Sequence, residues 1–570
     1  MSESRSLVDG AGTGSVLWSD TGLSFWGGVD PATGEIIDRH HPLSGRNIAG
    51  TVLALPKGRG SCSGSVVMLE LLMNGTAPAA LVFEAPDEVL TLGVIVAEEM
   101  FGRSIPVLSV GSRFVDLATA TRATVVGTRL AIDDMRFPAT GIDAAPASWP
   151  VLPADILTEG DRAMLAGEAG EAALIAMRIV VRSAALSGAT ALCDVTRVHI
   201  DGCIYTGPAG LRFAEEMRDA GGRVVVPTTL NAISVDERRW RSQGIDHALG
   251  EPASALAQAY VSMGARATFT CAPYVLEAPP ARGEMIAWSE SNAVVFANSV
   301  LGARTDKTPD LLDLCIALTG RARLSGCMVE ANRRATLHVT VDPFDPGDEG
   351  LFALLGYRIG ALARDHIPVV SGLERMSPNA DDLKAFGAAF ATTASAAMFH
   401  LIGLTPEADT LGRPDGLPIG RVSRADLLAV WRQFNTTLEP EVDLVCLGSP
   451  HLSSAELLRL ADLCEGRRKS PRTAITVTCG RETLAKAEAD GLACDLRAFG
   501  VEFLTDTCWC MIGEPIIPPT ARRLMTNSGK YAHYGPGLVG RQVRFAGLDD
   551  CVEAACRGAL PIAPPAWLAG

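Results

Sequence analysis

Up to residue 140 the apolar positions come in short unbroken runs, at 51–55, 79–83, 93–96 and 107–110, separated by Gly and Pro. Runs of that length between such breakers predict strands. One longer segment, 65–73, has helical spacing and predicts a helix. It follows directly on Gly58-Arg59-Gly60-Ser61-Cys62-Ser63-Gly64, a loop of small residues. Such a loop entering a helix gathers free backbone N–H groups and the positive dipole end, which suits a carboxylate, a phosphate or a reactive serine. A plain capping turn fits the same residues. Residues 138–153 are rich in Pro and Ala without periodicity and read as a linker. The pattern then changes. Helical spacing at 155–170, 171–186 and 211–220 alternates with apolar strand patterns at 191–195 and 223–227, and the alternation continues to 500–504. This predicts an α/β fold: a small β-rich domain over 1–140, a linker over 141–153 and a large α/β domain over 154–570, with parallel or mixed sheets.

In α/β sheets, ligands bind beyond the carboxyl ends of the strands. Polar clusters follow many of the expected strands here: His199-Ile200-Asp201-Gly202, Thr228-Thr229-Leu230-Asn231, Cys271-Ala272-Pro273-Tyr274, Cys446-Leu447-Gly448-Ser449-Pro450-His451, Cys479-Gly480 and Thr505-Asp506-Thr507-Cys508-Trp509-Cys510. Cys271, Cys446 and Cys508 stand in polar, aperiodic settings far apart in sequence. Their separation excludes the compact spacings of zinc ribbons and of clustered ferredoxins. Three such thiolates can converge on one metal centre, and unrelated strand-end thiols fit the spacing equally well. Cys510, in CxC with Cys508, is the second choice, and Cys62, Cys203, Cys327 and Cys479 stand in reserve. The run Trp288-Ser289-Glu290-Ser291-Asn292 and the later Arg304 offer an arginine near amides and hydroxyls, which suits a substrate carboxylate or a capping network. The stretch Met525-Thr526-Asn527-Ser528-Gly529-Lys530-Tyr531-Ala532-His533-Tyr534-Gly535 is too polar for plain core and is expected to close a site.

Composition narrows the partners. With 48% hydrophobic and 20% charged residues over 570 positions, the chain can bury a large core. Its formal net charge of -15 argues against nucleic acid as a partner. No apolar run reaches the roughly 18 residues of a membrane span. Met1-Ser2-Glu3-Ser4-Arg5 lacks an apolar signal region, so a cytosolic location is expected, where the 14 cysteines are thiols or metal ligands.

These motifs resemble the aconitase X family. In the N-terminal part the resemblance rests on Leu23-Ser24-Phe25-Trp26-Gly27-Gly28-Val29-Asp30, His40-His41-Pro42 and Lys57-Gly58-Arg59-Gly60-Ser61. In the large part it rests on Asp201-Gly202, Val226-Pro227-Thr228-Thr229-Leu230-Asn231, Trp288-Ser289-Glu290-Ser291-Asn292-Ala293, Asn298-Ser299-Val300-Leu301-Gly302-Ala303-Arg304-Thr305, Gly448-Ser449-Pro450-His451 and the 525–534 stretch. The resemblance implies a small swivelling domain before a multi-lobed aconitase-like α/β domain, and an iron–sulfur dehydratase with its cleft between them. Both parts in one chain, small one first, resemble the bacterial type that dehydrates cis-3-hydroxy-L-proline, with no obligatory second subunit. The two-chain relatives act on mevalonate 5-phosphate, and a phosphorylated hydroxy acid is the alternative substrate. A non-catalytic iron or redox sensor is the alternative outside enzymes. The usual aconitase ligand pattern, one cysteine plus a CxxC pair, is absent, so the cluster stays open between two-, three- and four-iron forms. Cys271, Cys446 and Cys508 are the expected ligands. Ser65, then Ser61, is the expected base by resemblance to the swivelling-domain serine of aconitases, with His451 and Lys530 as rivals. Arg304, Asn231, Ser289, Glu290, Ser291, Asn292, Ser449, Thr526, Asn527 and Ser528 are the expected substrate-binding residues, and Arg304 or Lys530 the stabiliser of the enolate-like charge.

Overall fold

A computed structural model of the chain describes residues 4–134, 137–143, 156–343, 350–437 and 439–569. The N-terminal part builds an eight-stranded sheet in the order Arg5–Val8, Val107–Ser109, Ala80–Phe83, Val52–Leu55, Ala11–Trp18, Arg122–Val126, Arg129–Asp134, Phe137–Asp143. Its middle is parallel and its outer strands are antiparallel. Val52–Leu55 and Ala80–Phe83 are buried at every position, which is why they read as unbroken apolar runs. Parallel strands need crossovers, and the helices Gly64–Asn74 and Glu88–Phe101 supply two of them.

The second of these helices replaces the strand expected at 93–96. Asp87 caps it, accepting from the Leu90 N–H at 2.7 Å, and Gly102 ends it at φ 62°. Every residue from Leu90 to Ala97 is buried, so no polar face interrupts the run, and a short all-apolar run does not separate buried helix from strand. The expected linker starts inside a strand, since 141–143 belong to Phe137–Asp143; residues 144–155 lie outside the described residues.

The rest of the chain forms three lobes. The first holds the parallel sheet Thr228–Leu230, Val198–Ile200, Ala287–Trp288 and the antiparallel pair Leu192–Asp194 with Arg321–Arg323. The second holds a parallel sheet ordered His400–Leu401, Pro368–Ser371, Leu337–Val341, Ile419–Val422. The third is a parallel sheet ordered Val501–Leu504, Ala474–Cys479, Leu444–Leu452, Arg523–Thr526, Gln542–Phe545. Two expected strands of the first lobe differ. At 223–227 the Val224 and Val225 N–H groups bond Met263 and Ala317 carbonyls instead of a ladder, and the strand starts at Thr228. At 264–270 a single bridge joins Arg266 to Thr229. Among the described residues no helix is long and apolar enough to cross a membrane.

In the third lobe the chain runs outward from Leu444–Leu452 on one side, then returns to the other side at Arg523–Thr526. The crevice beyond the strand ends at such a reversal is where these sheets bind ligands. The small domain docks through its Gly/Ser loop: Ser65 Oγ donates to the Asp310 carbonyl at 2.9 Å, and the Asp310 N–H donates to the Cys62 carbonyl at 3.3 Å. Gly93 lets the second helix press on this loop, because a Cβ there would lie 2.4 Å from the Ser65 carbonyl oxygen. Gly93→Ala is expected to cost about 1–3 kcal/mol through that overlap. Urea unfolding checks this, and an unchanged midpoint contradicts the close approach.

Candidate active site

Three thiols from two lobes meet at one small cavity. Cys271 comes from the loop before Pro273–Val275 in the first lobe, and Cys508 and Cys510 from the turn after Val501–Leu504 in the third. Trp509, between the latter two, is fully buried and donates its Nε1–H to the Leu447 carbonyl at 2.8 Å. Asp506 takes a left-handed φ of 68°, and its carboxylate holds Arg481 and accepts from the Glu237 N–H at 3.2 Å. Hydrogen bonds from the Cys271 and Cys510 thiols hold the Cys508 thiol well below its usual range. Burial raises Cys271, and the bond to Cys508 raises Cys510. The trio therefore already favours one thiolate.

His451 ties the two lobes together behind the thiols. Its backbone N–H donates to Cys271 Sγ at 3.3 Å, its Nε2 donates to the Thr507 carbonyl at 2.7 Å, and its Nδ1 meets the Thr270 hydroxyl at 3.2 Å. With both ring nitrogens engaged by protein and burial lowering its pKa, His451 braces the Cys271 loop against the Cys508 turn. Asn292 braces the same loop, donating to the Cys271 carbonyl at 3.0 Å and accepting from the Tyr274 hydroxyl at 2.7 Å.

Opposite the thiols, Lys530 opens the helix Gly529–Val539 and donates to Glu290 Oε1 at 2.8 Å. Burial pulls the ammonium pKa down, but Glu290 and the Cys510, Cys508 and Cys271 thiols outweigh it, and the net shift is upward. The geometry holds Lys530 as an ammonium paired with Glu290. Asn231 lies between Glu290 and Asp201, donating to both. The small domain contributes Trp26, Ser61 and Ser63 to the cavity wall. Ser61 also lines a neighbouring cleft of about 310 Å³ between the small domain and the first two lobes.

Several expected site residues fall elsewhere. Cys446 sits in Leu444–Leu452, buried at every position, and packs with Leu444, Leu504 and Trp509 away from the cavity; burial raises its thiol pKa. Cys510 stands at the thiol cavity in its place. Ser65 is enclosed, its hydroxyl donating to the Cys62 and Asp310 carbonyls, so of the two expected serines Ser61 is the one at the cavity. Arg304 pairs with Glu330 at 3.1 Å and lies 3.8 Å from Glu407, outside the cavity wall. Ser289 and Ser291 are buried outside that wall. Ser528 caps the Lys530 helix and donates to the Ser449 carbonyl, while Thr526 accepts from the Ser528 N–H at 3.1 Å. Asn527 is half-buried between them in sequence. Ser449 Oγ lies 4.0 Å from Cys510 Sγ. Sequence reasoning passed over Ser63, Asp310 and Asp313 as site residues; Asp201 carried a signal, since it follows the strand Val198–Ile200.

Sequence models of aconitase X domains match four stretches: the swivel domain at 1–133, the first domain at 156–331, the second at 335–432 and the third at 442–557. The chain belongs to the aconitase X family. It is 55% identical over 570 residues to a cis-3-hydroxy-L-proline dehydratase of Pseudomonas aeruginosa, covering 99% of this chain and 98% of that one. It is 34% identical over 386 residues to the phosphomevalonate dehydratase large subunit of Methanothermobacter thermautotrophicus, covering 67% of this chain and 94% of that one. The crystal structure of Thermococcus kodakaraensis aconitase X in its holo form superposes with a TM-score of 0.63 at 31% identity, over 70% of this chain and 99% of that one. The aconitase X chain described here is a hydro-lyase, with the swivel domain and the three others in one polypeptide.

The Lys530–Glu290 pair yields a stability test. Lys530→Met leaves Glu290 buried without its cation, a loss of about 3–5 kcal/mol for a broken buried pair. Urea unfolding checks this; an unchanged midpoint contradicts it.

Proposed function

We propose that this chain removes water from cis-3-hydroxy-L-proline to give Δ1-pyrroline-2-carboxylate, with an iron–sulfur cluster held by Cys271, Cys508 and Cys510. The observation that carries this reading is the convergence of three buried thiols with Ser61 and Lys530 in one cavity. The donor set fits a cluster. Sulfur ligands suit iron–sulfur centres, and the trio already favours a thiolate. Among the described residues no three His, Cys, Asp or Glu side chains are grouped as one metal ion would require, and a polynuclear cluster spreads its ligands wider. When bound, the cluster supplies an open iron as Lewis acid for the substrate's 3-hydroxyl.

The chain's own residues do the rest. Ser61 faces the cavity as the base for the C2 proton. The Lys530 ammonium is the one buried cation at the cavity wall among the described residues, and it attracts the substrate carboxylate and the charge that builds on it as C2 is deprotonated. His451 and Asn292 hold the Cys271 loop, and Trp26 covers the site from the small domain. Loss of the C2 proton and the 3-hydroxyl leaves a ring enamine, which tautomerises to the imine. A phosphorylated substrate fits less well. The serines of the 58–64 loop spend their hydroxyls on Asp201 and on each other, and Asp201, Asp310 and Glu290 crowd beneath them, which repels a phosphate dianion.

Anaerobically purified protein offered cis-3-hydroxy-L-proline and mevalonate 5-phosphate is expected to form the cyclic imine from the first; turnover of the phosphate alone overturns the reading. Cys271→Ser, Cys508→Ser and Cys510→Ser are each expected to lose the visible absorbance of the cluster, while Cys446→Ser keeps it. The reverse pattern for Cys446 and Cys510 refutes the ligand set.

A further inference from the structure

Behind Ser61 the structure holds a chain of oxygens that the reaction above does not use. Ser61 Oγ lies 3.0 Å from Ser63 Oγ, and Ser63 Oγ donates to Asp201 Oδ2 at 3.1 Å. The Asp310 carboxyl is buried beside them, and neither of its oxygens has a hydrogen-bond partner among the described residues. Ser63, Asp201 and Asp310 are all buried, so this network is closed from bulk water. One donor pattern satisfies it. The Ser63 proton goes to Asp201 and the Ser61 proton goes to Ser63; Ser61 Oγ also accepts from the Ser63 N–H at 3.3 Å, which leaves one lone pair for the cavity.

The charges around Asp201 fix its state. Glu290, Asp310 and Asp313 are the other acids acting on it or on its neighbour Asp310, Lys530 is the cation acting on it, and the Cys62 and Cys203 thiols lie within its field. Burial first, and then Glu290, raises the Asp201 pKa; burial first, and then Asp201, raises that of Asp310. Burial and the crowding of like charge favour a proton on Asp201 or Asp310.

We propose that Ser63 and Asp201 form a proton relay behind Ser61. This inference rests on Ser61 being the base. As the C2–H bond breaks, its electrons become the C2=C3 bond and the C3–O bond breaks. Ser61 takes the C2 proton, passes its own to Ser63, and Ser63 passes its own to the Asp201 carboxylate. The departing hydroxide leaves as water after taking back one proton along the same path, so Asp201 ends each turnover ionised. A neutral serine is a weak base; a carboxylate of raised basicity two oxygens behind it removes the need for a standing alkoxide. Ser63 and Asp201 are positioning residues, because they reach the substrate only through Ser61.

The test compares Ser63→Ala, Ser63→Thr and Asp201→Asn with the unaltered chain, on whichever of cis-3-hydroxy-L-proline and mevalonate 5-phosphate the unaltered chain dehydrates. Failure of the substrate reading then shows in the unaltered chain, and failure of the relay shows in the variants. Ser63→Ala is expected to keep the visible absorbance and KM within about threefold while kcat falls about 100- to 10,000-fold. Substrate deuterated at C2 is expected to show a larger isotope effect on its kcat, and Ser63→Thr restores most of the rate. In the unaltered chain kcat falls as pH drops through the raised Asp201 pKa, and Asp201→Asn removes that limb. Should Asp201→Asn fail to fold, Ser63→Ala decides alone, since it removes one hydroxyl. A Ser63→Ala enzyme with kcat within about threefold of the unaltered chain and the same pH profile overturns the relay.

Discussion

Four buried carboxyl groups, Asp201, Glu290, Asp310 and Asp313, lie under the small domain's loop with one ammonium, Lys530, in their field. Such an imbalance is costly unless every group is hydrogen-bonded or protonated. The structure meets that cost locally. Asp313 accepts from the Asp201 and Gly202 N–H groups at 2.8 and 3.1 Å, though burial still raises its pKa to about 6. Asn231 bridges Asp201 and Glu290. The Ser61–Ser63 pair covers Asp201 from above. The small domain is therefore part of the charge arrangement as well as a cover over the site.

The scaffold around this cluster is stiff where it needs to be. The third-lobe sheet order reverses beside Leu444–Leu452, which brings Ser449 of that strand, the Cys508 turn and the start of the Lys530 helix to one edge. His451 then crosses from that edge to the first lobe and fixes the Cys271 loop against the Cys508 turn. On the other side Gly93 allows two helices to meet at the Ser65 carbonyl, which sets the height of the serine loop over the acids. Ligand set, cation and base thus come from three separately folded units. They share one cavity only because each unit is locked to the next by buried hydrogen bonds.

Much of this was legible in the sequence. The switch to α/β alternation, the polar clusters at strand ends and the closing stretch at 525–535 all follow from patterns that local packing imposes. The misassignments have local causes. Cys446 opens a polar cluster that follows an apolar run, so it reads as lying beyond a strand, whereas the strand runs on through Leu452 and buries the thiol. Ser65 was expected by resemblance to the swivelling-domain serine, but Gly64 starts the helix, and the Ser65 hydroxyl turns back to the Cys62 carbonyl. Arg304 stood among amides and hydroxyls in sequence, yet Glu330 and Glu407, brought in by folding, claim it. Asp310 had no signal at all, since its role depends on contact with a loop nearly 250 residues away, as the 245-residue separation of Ser65 and Asp310 shows.

The central claim is that Cys271, Cys508 and Cys510 enclose an iron–sulfur cluster beneath Ser61. An anomalous-difference map at the iron absorption edge, from crystals of anaerobically purified protein, tests it most directly. The account predicts one compact iron peak bounded by those three sulfurs, with Ser449, Lys530 and Ser61 around it and no iron beside Cys446. Iron bound at Cys446, or no iron among the three thiols in catalytically active crystals, contradicts it.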